Sequence, residues 1–512
     1  MSHPLLRTIN HWADSKPKAI ALQGFDATGS VLTIPYREIH HHCQQLRVLW
    51  SERGVQPPTL AILCDNTPDI ALLDLALLAD GITTIPIPLF FSPQQSLHLL
   101  KQAAVEGIIT DQPTQIESLL AGAGIAIASQ QCIAGNCGTL HLYRIEVAEH
   151  AAHPFDKITF TSGSTGDPKG VCLNQGAILQ VAQSLVAATG ANCADRHLSL
   201  LPYATLLENI GSLYVPLLTG ATVILPGLAR VGLQGASGLN PDIMVEALQQ
   251  NHATSCIMVP QMLLGLVSVV AHSPNCLPDL RFVAVGGGPV SPALLQQAEA
   301  LKLPVFEGYG LSETASVVAV NTPSARKIGS VGKPLPHVKI AFSTEGEVLV
   351  KGAVMEGYLA RDDGGCDADG FWHTGDLGRL DAEGFLHLTG RCKQIFITAF
   401  GRNVAPEWVE RELTIEAAIA QAAVFGEAKA FNVVVIVARN SAAEANIEKA
   451  IANANARLPD YARIADFVLA TAPFTTRNGL ASVAGAPRRD AIAAQYCKEI
   501  SACYSTNEEE QP

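Results

Sequence analysis

Between Ile39 and Val285, helix-spaced segments alternate with short apolar runs, and this alternation restricts the fold more than any other feature. Ile39 to Arg53 has helical spacing, Leu60 to Cys64 is an apolar strand, Ile70 to Leu78 a helix and Thr83 to Pro88 a strand. The pattern returns as strands at Ala221 to Leu225, Ser255 to Val259 and Leu280 to Val285, with a helix over Pro241 to Gln250. Strands separated by helices pair in parallel through crossovers, so the predicted class is α/β, with a large N-terminal domain of parallel-rich sheets and flanking helices. The texture changes after Gly375. Gly384 to Gly401 reads as short strands joined by turns, Pro406 opens a helix to about Glu416, Val433 to Ala438 is a strand and Ala442 to Arg457 a helix. These segments predict a small C-terminal α+β lobe of about 120 residues. The expected division is 1–390 and 391–512, and the closing STNEEEQP reads as a solvated tail.

The 512 residues are 48% hydrophobic and only 16% charged, which favours a filled core and argues against disorder. A net charge of −13 disfavours nucleic acid and anionic membrane surfaces as partners, while leaving room for a local basic site. The twelve cysteines are scattered without a CxxC pair, and the first residues lack an apolar signal region; both suit a reduced, cytoplasmic enzyme. Asp74, Asp80 and several prolines interrupt the apolar stretch Ile70 to Phe91, so no integral membrane segment is expected. His40, His41 and His42 cannot aim three rings at one point from a helix, and read as a solvated or partly buried face rather than a metal site.

Phe160 to Val171 reads FTSGSTGDPKGV. Gly163, Gly166 and Gly170 let the backbone turn its amides toward a ligand, Thr161, Ser162, Ser164 and Thr165 add hydroxyls, and Lys169 adds a positive charge. Those groups suit a phosphate cradle, although the Walker A spacing is absent and the composition also suits a flexible linker. Four further segments bear on the choice. Gly286-Gly287-Gly288-Pro289 follows the strand RFVAVG, where backbone can approach a flat ligand closely. EGYGLSET, residues 307–314, supplies Gly308, Tyr309, Gly310, Ser312 and Glu313: an aromatic face, a hydroxyl and a carboxylate. WHTGDL places Asp376 after a turn, where one carboxylate can accept from two hydroxyls, and Gly390-Arg391 opens GRCKQIFITAFGRNVAPEWVE. Singly, Glu313, Asp376 and Arg391 read as ordinary loop and surface charges; their joint order favours the nucleotide reading.

TSGSTGDPKG, GYGLSET and HTGD in this order resemble the adenylate-forming superfamily of acyl-CoA synthetases, luciferases and peptide-synthetase adenylation domains. The resemblance runs from Tyr36 to the segment RNGLASVAGAPRRDAI, nearly the whole chain, and ITAFGRNVAPEWVE and LSLLPYATLLENIG look most like its long-chain fatty acyl branch. It implies ATP-dependent conversion of a fatty acid to an acyl-adenylate, then thioester formation with coenzyme A, with Mg²⁺ as cofactor. Thr161 to Lys169 would wrap the β- and γ-phosphates, and Tyr309 would stack on adenine beside Gly287, Gly288 and Pro289, within the Gly308 to Gly310 turn. Ser312 would touch the α-phosphate, Glu313 would hold Mg²⁺, and Asp376 and Arg391 would grip the ribose. Lys393 matches the hinge about which the C-terminal lobe swings, which sets the hinge near 391–393, and Gly401 matches the glycine lining the pantetheine tunnel. An acyl pocket is expected between Leu206 to Leu217, Met258 to Leu266 and the segment after Glu313, although MVPQMLLGLV would serve equally as core helix. Relatives in this superfamily commonly dimerise, so a homodimer is compatible.

Two positions depart from the family pattern. Thr205 stands where many relatives carry an aromatic residue or histidine gating the carboxylate site, whereas Glu208 fits the long-chain pattern. The family's C-terminal catalytic lysine aligns with Ala486 on the long-chain pattern and with Leu480 on the NGK pattern; neither is basic, and Arg488 or Arg489 is the expected stand-in. An acyl-AMP ligase loading carrier-protein phosphopantetheine is the alternative, disfavoured because the segment from Thr314 to His373 has no obvious room for an added insertion. A weakly active or noncatalytic acyl- or nucleotide-binding relative is the third reading, supported by Ala486.

Overall fold

The computed structural model describes residues 3–51, 59–146, 153–162, 168–234, 238–360, 365–392, 395–400, 402–482 and 485–508. Among these residues two large mixed sheets form, of eight and nine strands. The first runs Gly357–Tyr358, Pro168–Leu173, Lys157–Ser162, Thr83–Pro86, Thr59–Leu63, Gly107–Thr110, Thr139–Ile145, Ile127–Ala134. Its four middle strands are mutually parallel and both flanks antiparallel. In the second, six strands from Val305–Tyr309 through Phe282–Val285, Ser255–Met258, Arg196–Leu198 and Thr222–Ile224 to Ile20–Phe25 are parallel, as the βα alternation predicts.

Helix Pro68–Asp80 explains why a segment with Asp74 in it is so apolar. Every residue from Pro68 to Leu77 is buried, and the helix touches Ile20–Phe25 of one sheet and Thr83–Pro86 of the other. A helix enclosed on all sides needs apolar residues all round, not one apolar stripe. No described helix is long and apolar enough to cross a membrane. His40 and His41 are exposed and His42 half-buried on helix Tyr36–Ser51.

A four-stranded antiparallel sheet, Lys339–Phe342, Glu347–Lys351, Trp372–Leu380 and Leu386–Arg391, precedes the C-terminal lobe. In that lobe Asn432–Ala438 is the middle of three strands, and its run of valines follows from burial on both faces. Val434 and Ile436 pack with helices Pro406–Thr414 and Ile447–Arg457, while Val433, Val435 and Val437 pack with helices Arg489–Gln495 and Cys497–Glu508.

Two sequence expectations are corrected here. The helix expected over Ala442 to Arg457 begins as a 3-10 turn, Ser441–Asn446, and is α-helical only over Ile447–Arg457. Asn440 caps that turn by accepting from the Ala443 amide. The segment STNEEEQP, expected as a tail, is helical over its first four residues, Ser505 to Glu508, as the end of helix Cys497–Glu508. That helix is anchored just ahead of it by the buried Cys503 and Tyr504, the Tyr504 hydroxyl donating to the Phe425 carbonyl; residues 509–512 lie outside the described residues.

Candidate active site

The candidate residues gather where the two large sheets and the four-stranded sheet meet. Strands Lys157–Ser162 and Pro168–Leu173 form an antiparallel hairpin that sets Thr161 opposite Lys169. Gly163, Ser164, Thr165 and Gly166, and the side chain of Ser162, lie outside the described residues, as do Lys393 and Gly401. Gly287, Gly288 and Pro289 leave the end of Phe282–Val285 as an exposed ledge, and Gly308 and Tyr309 end the neighbouring parallel strand. The chain then folds back so closely that a methyl group at Gly310 would lie 1.6 Å from the Ser316 carbonyl oxygen, which excludes any other residue there. This turn presents Ser312 and Glu313, both half-buried, on the 3-10 turn Ser312–Thr314. It is followed by Ala315 and Ser316 at φ +48° and +95°, a strained pair held by the surrounding contacts.

Asp376 ties three strands together. Its Oδ2 accepts from the Tyr309 hydroxyl at 2.6 Å and its Oδ1 forms an ion pair with Arg391 Nε at 2.9 Å. Asp376 and Arg391 are also register partners between Trp372–Leu380 and Leu386–Arg391. Burial lowers the Arg391 pKa, but Asp376, Glu407 and Tyr309 more than offset this and move it upward. The Tyr309 phenol is pushed far up by burial and by the Asp376 charge, so it stays a proton donor to that carboxylate.

A second group adjoins the first. Glu313 Oε1 accepts from the Tyr358 hydroxyl at 2.7 Å, Lys169 Nζ lies 5.0 Å from the centre of the Tyr358 ring, and the Trp372 ring meets Tyr358 edge-on at 6.0 Å. Sequence reasoning missed Tyr358. Its neighbours in space are remote in sequence, and the only available signal was GY beside the apolar VM, too common to single out. Beneath the site, burial raises the Glu307 pKa to about 8 despite the opposing charge of Arg411 on helix Pro406–Thr414, an electrostatic influence of the lobe on the larger domain that the sequence also did not reveal.

The expected acyl-pocket segments are mostly core. Met258, Met262, Leu263 and Leu266 are buried among Leu198, Val283 and Val305, and only Val259, Pro260, Gln261, Leu264 and Gly265 are less than fully covered. Leu206 to Leu217 begins with a short α-turn, continues as a π-helix over Asn209–Tyr214 and returns to α-helix, with Thr205 half-buried at its start. Glu208 points into the protein, where its Oε1 accepts from Ser199 Oγ at 2.6 Å and the Leu200 amide at 3.1 Å. In the C-terminal lobe Leu480 is buried, Ala486 is exposed on a turn, and Arg489 is engaged by the Glu410 carboxylate. Arg488 is exposed and makes no side-chain contact with the clusters above among the described residues.

Residues 9–359 match the family model described as AMP-binding enzyme, and residues 393–508 match the AMP-binding enzyme C-terminal domain. The chain is 28% identical to a long-chain-fatty-acid–CoA ligase of Mycobacterium bovis, over 88% of this chain and 89% of that protein. It is 29% identical to a 2-succinylbenzoate–CoA ligase of Bacillus velezensis, over 76% of this chain and 80% of that protein. Among solved structures, the o-succinylbenzoate CoA synthetase of Bacillus subtilis in complex with its acyl-adenylate superposes with a TM-score of 0.74, at 24% identity, covering 96% of this chain and 98% of that one. The two share a fold of a large N-terminal α/β domain followed by a C-terminal domain. The chain belongs to the AMP-binding enzyme family.

Proposed function

We propose that the protein activates a carboxylic acid with ATP and transfers the acyl group to the thiol of coenzyme A. In the first step a carboxylate oxygen bonds to the α-phosphorus and pyrophosphate leaves; in the second, sulfur bonds to the acyl carbon and AMP leaves. The observation that carries this reading is the convergence of Tyr309, Asp376 and Arg391 on one side and Lys169, Glu313 and Tyr358 on the other, in a member of this family. Tyr309 offers adenine a ring face beside Gly287, Gly288 and Pro289. Asp376 uses one lone pair on each oxygen for Tyr309 and Arg391, which leaves acceptor capacity for ribose hydroxyls. Thr161, Ser162, Gly163, Ser164, Thr165, Gly166 and Lys169 are assigned to the phosphates, and Ser312 to the α-phosphate.

Glu313 suits Mg²⁺: it is a hard oxygen donor, and Oε2 has no hydrogen-bond donor among the described residues. The ion, held by this carboxylate and the substrate phosphates, would neutralise phosphate charge. Lys393 is assigned to the hinge near 391–393, the boundary between 1–390 and 391–512, and Gly401 to the pantetheine path.

A fatty acid is the proposed substrate, supported by the Mycobacterium bovis relative and by the absence of a charged side chain among the half-buried Thr205, Leu207, Val259 and Leu264. The 2-succinylbenzoate relative makes an aryl acid the competing class. The exposed Ala486 methyl favours slow adenylation, or a noncatalytic relative, unless a group such as Arg488 supplies the missing charge. The test is to supply ATP, Mg²⁺ and a mixture of short, medium and long fatty acids with aryl acids. Coenzyme A and a phosphopantetheinylated carrier protein are offered in separate reactions, and products are identified by mass spectrometry. Fatty acyl-CoA is the expected product. An aryl-CoA overturns the substrate class, an acyl carrier product alone overturns the acceptor, and no thioester overturns the reading.

A further inference from the structure

The segment following Met355 stitches the two halves of the phosphate side together. The Met355 amide donates to the Glu313 carbonyl at 2.8 Å, tying it to the turn that carries the carboxylate. Gly357–Tyr358 then pairs antiparallel with Pro168–Leu173, the strand that carries Lys169, with Tyr358 opposite Val171. The Glu356 amide donates to Cys172 O at 2.9 Å and the Leu359 amide to Gly170 O at 2.8 Å, which closes the pairing on both sides of Tyr358. The approach favours glycine at 170, where an added methyl would lie 3.0 to 3.1 Å from Phe160, Ile158 and Leu359 together and would push those side chains back by a few tenths of an ångström. Tyr358 is thereby fixed with its hydroxyl on Glu313 and its ring under Lys169, and Trp372 braces the ring edge-on from the strand that carries Asp376.

We infer that Tyr358 is a positioning residue that holds the Glu313 carboxylate in place for a divalent cation and the Lys169 ammonium in place for phosphate. This rests on the acid–ATP ligase reading above. The hydroxyl occupies one carboxylate oxygen and so fixes the orientation of the other, as the hydrogen-bonded partners of metal-ligating carboxylates do. The ring attracts the lysine through its π-face, whose quadrupole favours a cation. One side chain therefore presets two opposite charges a short distance apart before any ligand arrives, which lowers the ordering cost of binding.

Removing the hydroxyl and removing the ring separate the two effects. In Tyr358→Phe the ring and its strand pairing remain, so melting without ligand and binding of metal-free ATP in EDTA are expected to match wild type. Binding of Mn²⁺ to the complex with α,β-methylene-ATP, followed by electron paramagnetic resonance, is expected to weaken about 10- to 100-fold. The Mg²⁺ concentration giving half-maximal turnover should rise in parallel, with much of the rate restored at saturating Mg²⁺. In Tyr358→Leu metal-free ATP binding should also weaken, by roughly two- to five-fold, the loss of one cation–π contact between half-buried groups that solvent still reaches. Mn²⁺ affinity unchanged in Tyr358→Phe overturns the role on Glu313. Metal-free ATP affinity unchanged or tighter in Tyr358→Leu overturns the role on Lys169. A wild-type protein that binds no ATP with or without metal overturns the ligase reading itself, and this inference with it.

Discussion

Replacing the buried Lys157 by methionine should strongly destabilise the larger domain. Asp74 sits on the enclosed helix Pro68–Asp80 with its side chain 2% exposed, and Nζ of Lys157, whose side chain is 4% exposed, lies 2.8 Å from its Oδ1. The same ammonium donates to Asn209 Oδ1 at 2.6 Å and Tyr214 Oη at 3.3 Å, both on the π-helix, while Tyr214 donates to Asp74 Oδ2. Tyr203, Asn66, Ser199 and Glu208 continue this chain of buried hydrogen bonds toward the end of Arg196–Leu198. Methionine matches the apolar stem of lysine, so the main effect is a buried carboxylate left without its counter-charge, worth about 3–5 kcal/mol. The adjoining cavity, about 10 Å³ and lined by His3, Thr84 and Gln175 among others, has room for at most about one water, which is too little to rehydrate the charge. Removing both charges, Lys157→Met with Asp74→Leu, should recover most of the loss. Urea unfolding followed through the fully buried Trp50 measures both variants. A loss below about 1 kcal/mol in the single variant, or a double variant no more stable than the single, would show that the Asp74 charge does not depend on Lys157.

Two further outcomes follow from buried charges. Burial raises the Glu208 and Glu307 pKa values from 4.5 to about 8 each, against opposing hydrogen bonds at Glu208 and the Arg411 charge at Glu307. The native protein thus keeps protons that the unfolded chain releases, so each group makes stability fall as pH rises from about 4.5 to about 8, by at most about 1.4 kcal/mol per unit. Glu208→Gln should flatten part of that slope in urea melts at stepped pH, and an unchanged slope would rule Glu208 out as its source. Neighbouring arginines should behave oppositely: Arg489→Ala strands the buried Glu410 carboxylate and should melt the C-terminal lobe early, whereas Arg488→Ala, at an exposed position, should shift stability by less than about 0.5 kcal/mol. Calorimetry on both variants checks this, and equal losses would contradict it.

The features readable from sequence were those set by local pattern. Helix Pro241–Gln250 has the expected bounds because Asn240 caps it and Pro241 opens it, and the parallel strands fall where short apolar runs are flanked by breakers. Tyr309, Glu313 and Asp376 were legible because short motifs carry them. Tyr358 and Lys157 were not, because each acquires its meaning only through partners across a sheet. The helical end Ser505 to Glu508 was not legible because its composition is polar, and the buried Cys503 and Tyr504 that anchor the helix lie just ahead of it. The π-helix leaves no periodic signature that distinguishes it from α-helix over six residues.

If the proposed function is right, acid, ATP and the Glu313 carboxylate meet in one reaction. Carboxylate-dependent exchange of labelled pyrophosphate into ATP, in wild type and Glu313→Gln, tests it most directly. Exchange is expected to depend on added acid in wild type and to fall on the order of 100-fold in the variant, the loss of one metal-held charge contact. Protein that binds ATP yet exchanges with no acid, or a Glu313→Gln variant that matches wild type, would contradict it.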